Sequence, residues 1–567
     1  MARRKAGRHA STARGITPRR WLPFAALVAV IATSVVITRE VNPPTERTAT
    51  VAAPESLMPV AAVPRPISST WFCAGGTAVG PQLGADLSVV IANADDHGVE
   101  ALVSVFGPGA KRKAEPVKVP ANGRVRVAVR DILPGDWAAA TVEVFGGRAT
   151  VERRVEGADG FEVAPCSSTA SSHWYVPSGS TVRGATLRLV LFNPFPDATS
   201  VDIRFDTDNG SLSPRPLQGV SVPGRSLRVV TVQNPARRRQ VAATISTRTG
   251  RIVVDRLQSY DGTGDPVAGA GPTPLDTEAP RGLASTPAIP AASARWFFPD
   301  ARLVTGGRTQ VAIHNPGSRS ADLDVVLSFE DPDRYPDVEP IQVKLRSGEE
   351  TVIDLTDRAD ISPGIPFTVD VRSLEGAPVV AELLWFTGSA ESQGTGEAPP
   401  PDQGSASQDG ATEADGADPA TDPGVASDGT GPVEDPPEAT IVFAPGFSVT
   451  AGSPLAARSW FVAGRGADVD LESSVVVANV SAAPVRVFVA ELVGGNRRPL
   501  GGSTVTIPAH DRRVLDLAGA EPWSGLVVSG DGPLVVGRSI WSTDGRGIST
   551  GIATPFPDKV VRLPAVR

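Results

Sequence analysis

Beyond residue 67, apolar and polar positions alternate with a period of two, in short runs broken by Gly, Pro, Asn and Asp. Successive side chains of a strand point to opposite faces, so this alternation predicts half-buried β-strands; the 3.6-residue spacing of amphipathic helices is missing. About eight short strands fall in each stretch of roughly 100 residues, with a turn every 8 to 12, and that density predicts two packed antiparallel sheets per unit.

The pattern occurs four times. An aromatic pair headed by Trp recurs as Trp71-Phe72, Trp174-Tyr175, Trp296-Phe297 and Trp460-Phe461, and 19 to 22 residues after each Trp an Asn ends an apolar strand, at Asn93, Asn193, Asn315 and Asn479. A turn follows in each unit, at Val119-Pro120-Ala121-Asn122-Gly123, Val222-Pro223-Gly224-Arg225, Leu345-Arg346-Ser347-Gly348 and Ile507-Pro508-Ala509-His510. A Val-rich strand then ends near a charge, at Val151-Glu152-Arg153, Val254-Asp255-Arg256, Val380-Ala381-Glu382 and Val536-Gly537-Arg538. Units one and four next turn tightly at Asp159-Gly160 and Asp544-Gly545, a strong hairpin signal. Units two and three carry long insertions at that point, with Gly282-Leu283-Ala284-Ser285 and Gly446-Phe447-Ser448-Val449 on the far side.

Repetition on this scale predicts an all-β chain of tandem antiparallel β-sandwiches of an immunoglobulin-like kind. The expected units span 67–166, 167–290 with a hairpin-loop insertion at about 261–281, 291–453 with an acidic insertion at about 389–440, and 454–557, followed by a tail at 558–567. The composition of the acidic insertion predicts disorder. A single propeller is the rival architecture, but its blades of about 45 residues are too short for these units.

Ahead of the repeats, residues 1–20 carry seven basic side chains and no acidic one, and an uncharged apolar run, Trp21 to Thr38, follows. Its 18 residues, at 1.5 Å each, reach about 27 Å as a helix, enough for the hydrocarbon core, and the basic flank stays cytoplasmic. The expectation is one N-terminal transmembrane helix acting as a signal anchor, a linker over 39–66, and a C-terminal ectodomain outside the cell. A cleaved signal peptide is the rival, since Ala32-Thr33-Ser34 supplies small residues, yet the apolar run continues past that site.

The abundance of Ala, Val, Gly, Pro and Arg over Lys reads as a GC-rich genome of actinobacterial kind. Removing the basic tail takes the net charge from −8 to about −15, which argues against nucleic acid as a partner. The only cysteines are Cys73 and Cys166, and an exported chain favours pairing them, a disulfide that contributes about 4 kcal/mol in the chain-entropy model.

The segment Ser68-Ser69-Thr70-Trp71-Phe72-Cys73-Ala74-Gly75-Gly76, with Asn193-Pro194, Asn315-Pro316 and Val119-Pro120-Ala121-Asn122, resembles an actinobacterial secreted family classed as domain of unknown function 5719. The likeness covers most of 67–557 and departs at Asn479-Val480, where the register is expected to be weaker. It implies export and a cell-envelope setting, with no activity to carry over.

Catalytic chemistry finds no residues to carry it. The histidines, at 9, 97, 173, 314 and 510, form no metal-binding pair, no Gly-x-Ser-x-Gly elbow lies between strand and helix, and no glycine-rich loop opens a helix for phosphate. Asp206-Thr207-Asp208-Asn209-Gly210 reads as an Asn-Gly hairpin rather than a calcium loop, and Asp331, Asp333 and Asp337 as a solvated loop rather than a calcium site. Trp71, Trp174, Trp296 and Trp460 are either core residues or ligand-facing platforms for sugar rings. No catalytic residue, cofactor or metal is therefore expected. The expected function is that of a non-enzymatic, membrane-anchored structural or interaction protein of the bacterial envelope, a tethered rod of sandwiches. The alternative is a surface protein that binds envelope glycans.

Overall fold

The period-two segments fold as strands because each can bury one side chain in two against a facing layer. The computed structural model describes residues 53–563 apart from 64–65, 265–278, 304–305, 331–337, 359, 362–364, 389–444, 465–470, 522–523, 543–544, 546 and 559. The anchor segment 21–38, His9, the acidic insertion, Asp544 and the Asp331, Asp333, Asp337 loop lie outside the described residues. No described helix is long and apolar enough to cross a membrane.

Unit one comprises β1 (Ser69–Ala78), β2 (Asp86–Asn93), β3 (Val99–Phe106), β4 (Arg112–Val119), β5 (Gly123–Ala128), β6 (Gly135–Phe145), β7 (Ala149–Gly157) and β8 (Gly160–Pro165). They form two layers, β4-β3-β6-β1 and β5-β2-β7-β8, antiparallel throughout except for one parallel bridge between Thr77 and Asp86 that joins them. Trp71, Val103 and Val142 of the first layer share a core with Leu87, Val89 and Val151 of the second. The disulfide Cys73–Cys166 ties β1 to the residue after β8, and both cysteines are fully buried.

Unit two repeats the plan with β9 (His173–Val176), β10 (Ala185–Asn193), β11 (Thr199–Thr207), β12 (Gly210–Leu212), β13 (Val220–Val222), β14 (Ser226–Thr231), β15 (Val241–Thr247), β16 (Val253–Asp261) and β17 (Arg281–Pro287). Its layers are β12-β11-β15-β9, with β13 also on β11, and β14-β10-β16-β17. Unit three has β18 (Arg295–Arg302), β19 (Arg308–Asn315), β20 (Ala321–Phe329), β21 (Ile341–Leu345), β22 (Glu349–Asp354), β23 (Pro366–Ser373), β24 (Val380–Thr387) and β25 (Gly446–Ala451), in layers β21-β20-β23-β18 and β22-β19-β24-β25. Unit four has β26 (Leu455–Val462), β27 (Leu471–Asn479), β28 (Val485–Val493), β29 (Asn496–Ile507), β30 (Arg512–Val514), β31 (Gly525–Ser542) and β32 (Ile548–Ile552); the long β31 serves both layers. Two short strands, β33 (Thr554–Pro555) and β34 (Val561–Arg562), close on β26. The partition is not the immunoglobulin one, which places the first strand in a sheet with the second and fifth; here the first strand joins the third, fourth and sixth.

Both insertions sit within a hairpin. Thr387 pairs with Gly446 across residues 388–445, and Asp261 pairs with Arg281 across 262–280. Loop closure grows only as about 1.5 RT ln n, so joining Ser392 to Pro437 by a short Gly-Ser link changes stability by about 1 kcal/mol or less. Thermal melting of that deletion should superimpose on the parent chain; loss of the cooperative transition would show that the segment itself holds unit three together.

The last strand of every unit lies on a common axis. β8 packs against β17, β17 against β25, β25 against β32, and β32 against β8. The four units therefore close into a ring, which replaces both the expected rod and the propeller of simple blades. In each unit the four-stranded layer that starts at the axis runs outward, as β8, β7, β2, β5 does in unit one. Two expected tethers are also part of the packing: Leu57, Met58, Val60, Ala61 and Ala62, read as linker, are buried, as are Val560 and Leu563 of the expected tail. The reason is seam closure, since the Ala61 amide donates to Pro555 and the Ala62 amide to Ala149, bridging units four and one.

The repeated Asn residues clamp turn to turn. Asn93, Asn193, Asn315 and Asn479 are at most 1% exposed. Each Nδ2 donates to the carbonyl four residues on (His97, Asp197, Arg319, Ala483) and to the turn that leads into β5, β14, β22 or β30, while Oδ1 accepts the amide two residues on. Unit four keeps the whole clamp, so the Val480 departure costs no register. The facing turn takes a left-handed residue at the same place each time: Asn122, Arg225, Gly348 and His510, with φ of 41°, 51°, 68° and 58°. Beside Arg225, a Cβ on Gly224 would sit 1.8 Å from the Pro196 carbonyl oxygen, so that close approach needs glycine.

Candidate functional site

Period two sends the two members of each Trp-aromatic pair to opposite faces, and the ring gives both faces something to bury. Trp71, Trp174, Trp296 and Trp460 are at most 1% exposed and fill the cores of their own units. The indole N–H of Trp174 donates to Ile252 at 3.0 Å, that of Trp296 to Val379 at 2.8 Å and that of Trp460 to Leu534 at 2.9 Å, all backbone carbonyls. The second aromatic goes to the neighbouring unit: Phe72 joins the core of unit two, Tyr175 packs on that of unit three and Phe297 joins that of unit four. Phe461 completes the circuit with Ala92 and Ala94 of unit one and stacks on Phe556 at 5.7 Å. None of the four Trp residues forms a sugar platform.

The charges at the ends of the Val-rich strands follow the same circuit. Arg153 pairs with Asp255 of unit two, Arg256 with Glu382 of unit three at 2.8 Å, and Arg538 of unit four with Glu152 of unit one at 3.0 Å. All six side chains are 5% exposed or less. Each Arg thus meets the acid at the matching strand end of the next unit around the ring. At the seam from unit three to unit four the sequence has Leu383 and Gly537, neither member of a pair, and Arg512 instead reaches Asp300 and Glu330 at 3.2 Å. Burial pulls the Arg153 guanidinium down and pushes the Asp255 carboxyl up despite their contact, so desolvation outweighs attraction in that pair. At the axis, Glu162 accepts from Ser549 and the Val163 amide, and burial still pushes its carboxyl up to about 8.

Among the described residues, an open cavity lies at the seam between units two and three. Its volume is about 110 Å³. Tyr260, Phe386 and Phe447 form an apolar wall with ring centroids 4.7 to 5.5 Å apart. The lining also includes Ser178, Ser180, Gln240, Gln258, Gln310, Glu350 and Arg256, with the exposed Arg239. Glu350 stands opposite His314 on β22 and β19, and the His314 Nε2 meets Asp206 of unit two at 2.9 Å. Burial, with Asp206 and Asp208 nearby, pushes the Glu350 carboxyl up to about 9. Burial alone would raise Asp206 too, but hydrogen bonds from His314 and Ser211 hold it below the usual carboxylate range.

A carboxyl that keeps its proton to about 9 when folded and releases it near 4.5 when unfolded binds more protons in the native state across that window. Its contribution to stability is complete below 4.5 and is lost as pH rises toward 9. Glu350→Gln should therefore flatten the fall in Tm between pH 5 and 9, on the order of the window the carboxyl spans. A variant whose melting profile stays parallel to that of the parent would mean that Glu350 is ionised in the folded chain.

The other residues singled out in the sequence fall elsewhere. Asp206 to Gly210 is a hairpin, as read, but its loop residues are Asp208 and Asn209, with Thr207 paired to Gly210. His97 and His173 are exposed, and His510 occupies the left-handed turn position. Among the described residues no group of three His, Cys, Asp or Glu side chains is placed to hold a metal ion. Sequence reasoning missed the seam cavity because Tyr260, Gln310, Glu350, Phe386 and Phe447 come from five strands of two units.

Against known proteins, a family of unknown function (DUF5719) matches residues 147–421, a narrower stretch than the sequence likeness. No curated protein matches. A crystal structure of Thermotoga maritima 1070 is 23% identical, covering 17% of this chain and 81% of that one, at a TM-score of 0.15. A tetra-tandem repeat from the extending region of a large adhesion protein is 10% identical, covering 88% of this chain and 100% of that one, at a TM-score of 0.10.

Proposed function

Since the chain belongs through residues 147–421 to a family of unknown function, which brings no activity with it, we propose that it is a non-enzymatic structural or interaction protein of the bacterial envelope. In this reading the apolar run 21–38 anchors it in the membrane with the basic tail in the cytoplasm, and the ring stands outside the cell. One observation carries the reading. The repeated aromatics and the paired charges, the groups most able to do chemistry, are consumed in joining unit to unit. A ring closed in this way presents a fixed surface to other envelope components, and the disulfide suits an oxidising compartment.

The test is photo-crosslinking from Ile67 and Leu83, which are 95% and 82% exposed, with the full chain in intact cells. A recurrent protein partner captured from these positions supports the reading. Turnover of an envelope substrate by the purified chain overturns it. A second reading, a surface protein that binds envelope glycans, draws its support from the cavity between units two and three rather than from the Trp pairs.

A further inference from the structure

We propose that the cavity between units two and three is a binding site for a single neutral sugar ring. This rests on the second reading above and assigns it a place. The wall of Tyr260, Phe386 and Phe447 offers the apolar surface against which the C–H face of a sugar packs. The polar part of the lining is mostly uncharged: Ser178, Ser180, Gln240, Gln258 and Gln310. Donors and acceptors side by side suit hydroxyl groups, each of which both gives and takes.

Two buried atoms lining the cavity have no hydrogen-bond partner among the described residues: the Arg256 Nε, a donor on a side chain 1% exposed, and the Glu350 Oε1. A native fold seldom leaves such atoms unsatisfied without a water or a ligand to meet them. Charged ligands fit worse. The Arg256 guanidinium is already neutralised by Glu382, which leaves an anion only Arg239 at the rim. An ammonium group would face a Glu350 carboxyl that burial keeps protonated at neutral pH. The space of about 110 Å³ would hold about four waters at roughly 30 Å³ each, less than a whole hexose, so a sugar ring seats one face in it and leaves the rest at the open mouth.

Saturation-transfer NMR on the full-length chain tests this, with glucose, galactose, mannose and arabinose as probes and acetate and glycine betaine as charged comparators. At least one neutral sugar should bind with a Kd on the order of 1 mM. V352F, which puts a ring into the cavity, should weaken it at least tenfold. E350L should do the same while melting no lower than the parent, because it removes a buried carboxyl, so it decides the matter if V352F folds poorly. Sugar binding untouched by E350L would leave the glycan reading standing and remove the cavity from it. Silence from all four sugars would overturn both, and saturable binding of acetate or betaine alone would overturn the neutral-sugar assignment.

Discussion

Replacing Arg538 by leucine is expected to destabilise the ring by about 3–5 kcal/mol, because it leaves the Glu152 carboxylate buried without its partner. The two residues are 386 positions apart, and Arg538 Nη1 meets both Glu152 oxygens at 3.0 Å. Replacing Glu152 by glycine in the same chain should restore most of the loss, since the seam between units three and four already uses Leu383 and Gly537 at the matching positions. Chemical denaturation of the parent, both single variants and the double variant gives the coupling energy directly. A large coupling means that the first and last units touch in solution. Strict additivity would mean that the units are strung out rather than closed, and would sink the ring.

That closure was written in the sequence without being read from it. Around a circle, the positions Glu152-Arg153, Asp255-Arg256, Glu382-Leu383 and Gly537-Arg538 balance at every seam: each Arg meets the acid of the next unit, and the unit whose Arg is replaced by Leu383 is followed by the one whose acid is replaced by Gly537. Along a rod, Arg538 and Glu152 would be left over. The strands, the repeat and the disulfide followed from local signals: alternation, recurring turns and the presence of two cysteines in an exported chain. Whether Phe72 and its counterparts face solvent or a neighbour is not local, because alternation fixes the face of a residue and not what covers that face. The same limit hid the largely buried segment 57–62, whose small and apolar residues carry no period that distinguishes a packed strap from a linker. The seam cavity lay further still from sequence reasoning, since its lining residues share no motif.

Removing the amide of Asn479 should cost about 3 kcal/mol or more, and more than its small size suggests. Its Nδ2 donates to the Ala483 carbonyl at 2.8 Å, to Ile507 at 3.2 Å and to Pro508 at 2.7 Å, while its Oδ1 accepts the Ser481 amide at 2.9 Å. In Asn479→Ala those groups lose their partner, at about 1–3 kcal/mol for each one that water cannot reach. Asn479→Asp separates the two halves of the clamp. It keeps the acceptor for Ser481 but turns an oxygen toward three carbonyl oxygens, so it should melt no higher than the alanine variant. Because Asn93 makes the same contacts in unit one, Asn93→Ala should lower stability by a similar amount, and the two effects should add if the units melt together. If Asn479→Asp melts with the parent, the amide donors contribute nothing, and the recurrence of Asn at this position has another cause.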